Sequence, residues 1–163
     1  MRIVPFAFAS IAVLAAAATA ATFKVSGTKA AQVMHERHEG METIGKSFKA
    51  LHRELDAASP DLGVVRGSSS QIASLSKKAS GWFPAGTGPD VGKTGAKPEI
   101  WQNPQDFASK LAAFQKIAQA YNAIAAGSDV DAMKAGFANL GNSCKACHDK
   151  YREKPNLSLR CTP

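Results

Sequence analysis

Apolar side chains recur with helical periodicity in four stretches of this chain. From about Lys29 to Ala58 no proline interrupts, and Met34, Met41, Phe48 and Leu55 alternate with Arg37, Ile44, Leu51 and Ala58 at heptad spacing, which predicts a helix packed along one seam. Arg37 is the exception, a charge on an otherwise apolar line. Ser59-Pro60 ends the segment, because the residue before a proline disfavours helical geometry. A weaker stripe of Val65, Ile72, Leu75, Ala79 and Trp82 predicts a second helix from about Leu62 to Ser80, although Gly67 and the serines oppose its early turns. A third starts at Asn103 with Pro104 in the first helical position. It carries Phe107, Leu111, Phe114, Ala118, Tyr121 and Ala125 at spacings of four and three, and Gly127 is expected to close it. Asp129 caps a fourth. Its inward line of Val130, Met133, Phe137, Leu140, Cys144, Cys147 and Tyr151 is expected to run to about Lys154, before Pro155.

Between the second and third helices lies Gly81 to Asn103, rich in proline and glycine and too long for an ordinary turn. Trp82, Phe83, Ile100 and Trp101 within it predict packing onto the helices, since a flexible linker would not carry so many large apolar groups. Four amphipathic helices and no credible strand predict an all-α fold, an antiparallel up-down-up-down bundle with this long connection crossing between helices two and three.

Composition narrows the setting. Arg2, the apolar run Ile3 to Ala18 and the small residues Ala18-Thr19-Ala20 read as a secretory signal peptide over residues 1–20, leaving 21–163 as a single domain. Without Arg2 the balance is 19 basic against 13 acidic residues, a formal charge of about +6. That charge favours acidic partners. No arginine-rich run or aromatic-basic interleaving points to nucleic acid. Gly88-Pro-Asp-Val-Gly92-Lys93-Thr94 superficially suggests a phosphate-binding loop, but Thr87 stands where the first glycine should be and no apolar strand precedes it.

The chemistry is concentrated at Cys144-Lys-Ala-Cys147-His148. Two thiols three apart followed at once by an imidazole form the attachment signature of a c-type haem. The thiols bond covalently to the porphyrin's vinyl groups and the histidine reaches the iron as proximal ligand. A thioredoxin-like pair would open a helix after a strand, whereas this pair lies near the end of a long helix. Zinc would need a fourth ligand, and beyond these three groups the chain has only one more thiol, Cys161. With both motif cysteines on the inward stripe, one haem c is expected inside the bundle, its edge toward solvent. Cys161 is then left over, near the end of a tail holding Pro155 and Pro163.

These features resemble the cytochrome c-prime family, the class II c-type cytochromes, whose haem sequence lies near the C-terminus. The resemblance covers essentially the whole mature chain and rests on Arg37 with Met41, on Trp82-Phe83-Pro84 through Pro98-Glu99-Ile100-Trp101, and on Cys144 to His148 followed by Tyr151-Arg152. It implies that Met41, four residues beyond the arginine, faces the open side of the haem iron. Members with a ligating methionine there are six-coordinate, low-spin electron carriers; members with an apolar residue stay five-coordinate and bind small gases. By resemblance this chain is of the first kind, with iron held by His148 and Met41, a thioether that raises the reduction potential. Met41 filling core space is the plain alternative, and Met34 and His38 lie near enough along the helix to compete.

Arg37, turned inward, calls for an anion, and a haem propionate is the nearest one; otherwise its stem packs and its head reaches water. Lys145, Lys150 and Lys154 suggest a docking rim for periplasmic or membrane redox proteins. The expectation is a periplasmic one-electron carrier without enzymatic turnover and without a transmembrane segment in its mature form. Family members are often dimers, so a homodimer is plausible. The competing functions are a five-coordinate protein binding nitric oxide or carbon monoxide and a peroxidase-like activity, for which no distal acid-base pair is apparent.

Overall fold

In the computed structural model, residues 27–154 are described; the expected signal peptide and Cys161 lie outside them. The helices are α1 (Gly27–Asp56), α2 (Leu62–Lys78), a 3-10 turn at Ala79–Gly81, the short α3 (Glu99–Gln102), α4 (Pro104–Ala125) and α5 (Val130–Tyr151). The four long helices form the antiparallel bundle that the apolar spacing implied. Leu51, Val65, Ile72, Met133 and Leu140 are fully buried at its centre, each stabilising the fold by roughly 1.5–3 kcal/mol relative to an exposed side chain.

The doubtful early turns of α2 are held by Asp61, whose carboxylate accepts from the backbone N–H groups of Gly63 at 2.8 Å and Val64 at 3.2 Å, satisfying donors that a helix start leaves free. Asp129 does the same for α5 through Ala132 at 2.9 Å. Two boundaries differ from expectation. Among the described glycines only Gly86 has positive φ, so α4 ends without the left-handed glycine turn expected at Gly127. Helix α5 stops at Tyr151 rather than Lys154, because Arg152 adopts extended geometry and pairs with Ala96 of the connection in an isolated antiparallel bridge.

The helix pairs are not packed equally. α1 lies along α2, α2 along α4 and α4 along α5, whereas α1 and α5 touch sparsely. Their meeting point is Phe48 stacked on Phe137, with ring centroids 4.5 Å apart, and His52 set edge-on to the same ring. From there toward the N-terminus of α1 and the C-terminus of α5, the connection occupies the end of the bundle. Trp82 and Ile100 are buried, and the Trp101 indole N–H donates to the Pro84 carbonyl at 3.0 Å. The large apolar groups of this segment pack, as their presence in a proline-rich stretch suggested.

Candidate haem site

Helix periodicity sets the level of the candidate ligands. A Cβ on Gly141 would stand 3.3 Å from the Phe48 ring, so these two residues mark one level of the antiparallel α1–α5 pair. Seven residues back along α1 is Met41, and seven forward along α5 is His148. Each is displaced about 10 Å along its helix in the same direction. Met41 and the Cys144–His148 motif therefore occupy the same level of the α1–α5 pair, the most sparsely packed of the neighbouring pairs of long helices.

Cys144 and Cys147 are half-buried free thiols. Burial raises both thiol pKa values, and at Cys144 the neighbouring Cys147 adds to the rise. His148 retains exposed surface, yet the protein packed around it, and next the Arg152 charge, lower its pKa against the opposing pull of Asp149. The neutral imidazole this favours is the metal-binding form. Met41 is half-buried and packs on the main apolar cluster. Two thiols for thioether bonds, a neutral imidazole beside them and a thioether at the same level of the facing helix make a donor set that fits a covalently held haem.

The competing residues are disposed differently. Met34 lies against the connection, where a Cβ on Gly92 would be 3.0 Å from its terminal methyl. His35 and His38 are exposed. His52 is exposed beside Asp56, with Nδ1 2.9 Å from the carboxylate.

Arg37 departs most from the sequence reading. Its residue is 4% exposed, so the head does not reach water. Nη1 donates to the Trp82 carbonyl at 3.1 Å and to Thr87 Oγ1 at 3.3 Å, while Nη2 donates to the Thr87 carbonyl and to Thr94 Oγ1, both at 3.0 Å. The guanidinium also lies over the rings of Phe83 and Trp101, 5.2 and 5.9 Å from their centroids. A buried charge needs hydrogen-bond partners, and these neutral oxygens and aromatic faces supply them; a propionate is not needed to account for an inward arginine. Burial lowers its pKa from the ordinary value.

Thr87 and Thr94 are partners of Arg37 that sequence reasoning passed over. They bracket the stretch set aside as a false phosphate loop, and only the unexplained charge at Arg37 hinted that something nearby must accept from it. The lysine rim is also less free than expected, since Lys145 pairs with Asp149 and Lys150 with Asp106. A concavity of about 620 Å³ on the outside of α4 and α5, lined by Lys110, Ala113, Ile117, Asn139 and Ala146 among others, includes none of the candidate ligands.

The family model for cytochrome c′ matches residues 32–152. The chain belongs to the cytochrome c′ family. Cytochromes c′ bind covalently attached haem c with iron, in keeping with the attachment sequence on α5. The chain is 42% identical over 73 residues to cytochrome c′ of Alcaligenes xylosoxydans xylosoxydans, a match covering 45% of this chain and 56% of that relative. It is 34% identical over 135 residues to cytochrome c′ of Rhodopseudomonas palustris, covering 79% of this chain and 88% of the other. A solved cytochrome c′ described as showing ligand-controlled dimer dissociation superposes with a TM-score of 0.71 at 26% identity, covering 81% of this chain and all of that one. The four-helix bundle of the family is thus the fold of this chain. Among its described residues no helix is long and apolar enough to cross a membrane.

Proposed function

We propose that this cytochrome c′ family member is an exported, periplasmic one-electron carrier whose haem iron is held by His148 and Met41. The observation that supports the reading is the shared level of these two residues on α1 and α5, the most sparsely packed of the neighbouring pairs of long helices, with Met34 already packed against the connection. Bound there, the haem supplies reversible one-electron exchange. Cys144 and Cys147 would fasten it to α5, and the neutral imidazole of His148 and the Met41 thioether would hold its iron, the thioether favouring the ferrous state. The surrounding apolar cluster keeps water from the iron and limits rearrangement on electron exchange. Partners are redox proteins with acidic surfaces, and the signal sequence at residues 1–20 directs export.

The test is the absorption spectrum of the purified protein in both oxidation states. Low-spin bands in each, converted by Met41→Ala to high-spin bands with prompt carbon monoxide binding, are expected. High-spin bands and prompt carbon monoxide binding in the unsubstituted protein would remove Met41 from the iron. Intact mass should show loss of residues 1–20 and one covalent haem.

A second reading is a five-coordinate iron that binds nitric oxide or carbon monoxide opposite His148, favoured by the relative whose dimer dissociation is ligand-controlled. A homodimer responsive to ligand belongs to that reading. Sedimentation with and without carbon monoxide separates the two, since a six-coordinate carrier should show no gas-dependent change of mass.

A further inference from the structure

Among the described residues no hydrogen bond or ion pair joins α1 directly to α5. At the level of Met41 and His148 the helices are joined instead through residues 82–97 of the connection. On the α1 side, Arg37 holds this segment by four hydrogen bonds reaching Trp82, Thr87 and Thr94, and the Trp82 indole lies against the backbone at Gly40. On the α5 side, Lys97 N–H donates to the Tyr151 carbonyl at 3.0 Å and Glu153 N–H to the Gly95 carbonyl at 2.8 Å. Thr94 ties the two ends together, because its hydroxyl oxygen accepts from both Arg37 and Ala96 N–H. Arg37 is one turn before Met41 on the same face, and Tyr151 is three residues after His148.

We propose that Arg37 is a positioning residue: by gripping the connection it makes residues 82–97 a strap that fixes the distance between the Met41 turn of α1 and the His148 turn of α5. The proposal rests on the reading of those two turns as opposite walls of the haem site. A planar fork of donors suits this role, since it fixes direction as well as distance. Lysine, a single point of charge, would hold the strap less firmly.

The test uses the full-length haem-loaded protein carrying Arg37→Met, Arg37→Lys or Thr94→Val, each also made in a Met41→Leu background where no thioether can ligate. Three quantities are read: the low-spin fraction, the carbon monoxide association rate, and amide hydrogen exchange in residues 82–97. In the Met41→Leu background, Arg37→Met should speed carbon monoxide association about tenfold, as expected when an open state of about a tenth becomes the main one. Arg37→Lys should fall between, and Thr94→Val should give about a threefold change, the scale of one weakened hydrogen bond. With Met41 present, the same variants should lose low-spin fraction in the same order.

If exchange in the strap quickens while the association rate and spectrum stay as they were, the strap does not set the spacing and the proposal is overturned. A high-spin spectrum of the unsubstituted protein sinks Met41 ligation alone; the rates in the Met41→Leu background still decide the strap. Should Arg37→Met fail to fold, the order of Arg37→Lys and Thr94→Val decides it, equal and unchanged rates counting against.

Discussion

The two ends of this bundle are closed by different means. At the end holding the α1–α2 and α4–α5 turns, helix meets helix directly: Arg66 donates to the Gly127 carbonyl at 2.9 Å, Ser69 to Asn122 at 3.1 Å, and Leu51, Val65 and Met133 fill the interior. At the other end α1 and α5 are joined through the connection, by a buried arginine and a few backbone pairs. Direct packing fixes a helix distance by the volume of the side chains between them. A strap fixes it while leaving the facing surfaces free for something else, which is what a site between two helices requires.

Gly40→Ala should break the strapped end most severely. A Cβ there would stand 2.2 and 2.4 Å from two atoms of the Trp82 indole, and a rigid ring can yield only by moving the strap. A loss of about 3 kcal/mol or more is expected, at the upper end of overpacking, measured by urea denaturation. At the directly packed end Gly67→Ala meets nothing within 4 Å and should stabilise by about 0.5–1 kcal/mol, the helix-propensity difference. Equal effects at both positions would contradict the contrast between the ends.

A weaker effect should follow at Asp106, which ties α4 to the end of α5 by accepting from the Tyr151 hydroxyl and from Lys150. The Tyr151 bond first, then Lys150, lower its pKa from the ordinary carboxylate value. A depressed carboxylate contributes stability above its unfolded pKa and loses it as pH falls through the folded value. Asp106→Asn should therefore be less stable than the parent at neutral pH, with the difference shrinking as pH drops below about 4. Thermal melts at several pH values check this; a difference independent of pH would show that the carboxylate charge plays no part.

The directly packed half was legible in the sequence because its determinants are local and periodic. Leu51, Leu55, Ala118, Tyr121 and Met133 fall on the predicted stripes and are buried, and Asp61 and Asp129 announce their helix starts. The candidate haem-binding motif stood out for another reason, since Cys144, Cys147 and His148 lie close together on one helix. The strap was not legible. Its bonds join Arg37 to residues 45 to 57 positions away, mostly through backbone carbonyls and threonine hydroxyls that carry no pattern. The end of α5 was misjudged for the same reason, because pairing with Ala96 outweighed the helical tendency of the last residues.

The smallest effect at neutral pH should come from Tyr121, near the directly packed end, and it tests the other half of the comparison. The residue is 2% exposed, and its hydroxyl has no hydrogen-bond partner among the described residues, whereas the buried polar groups of Arg37 are well supplied. A buried hydroxyl that bonds to nothing should add nothing. Tyr121→Phe keeps the ring against Phe137 and removes only that oxygen, so stability should stay level or rise by up to about 1 kcal/mol. Burial raises the Tyr121 pKa from 10.0 to about 12. Between those values the unfolded chain ionises and the folded one does not, so the parent loses stability as pH rises from 10 to about 12. Phenylalanine escapes that loss, and the advantage of the variant should widen across this interval in denaturant titrations. A variant that is weaker at neutral pH and no better in alkali would mean that the Tyr121 hydroxyl bears part of the bundle after all.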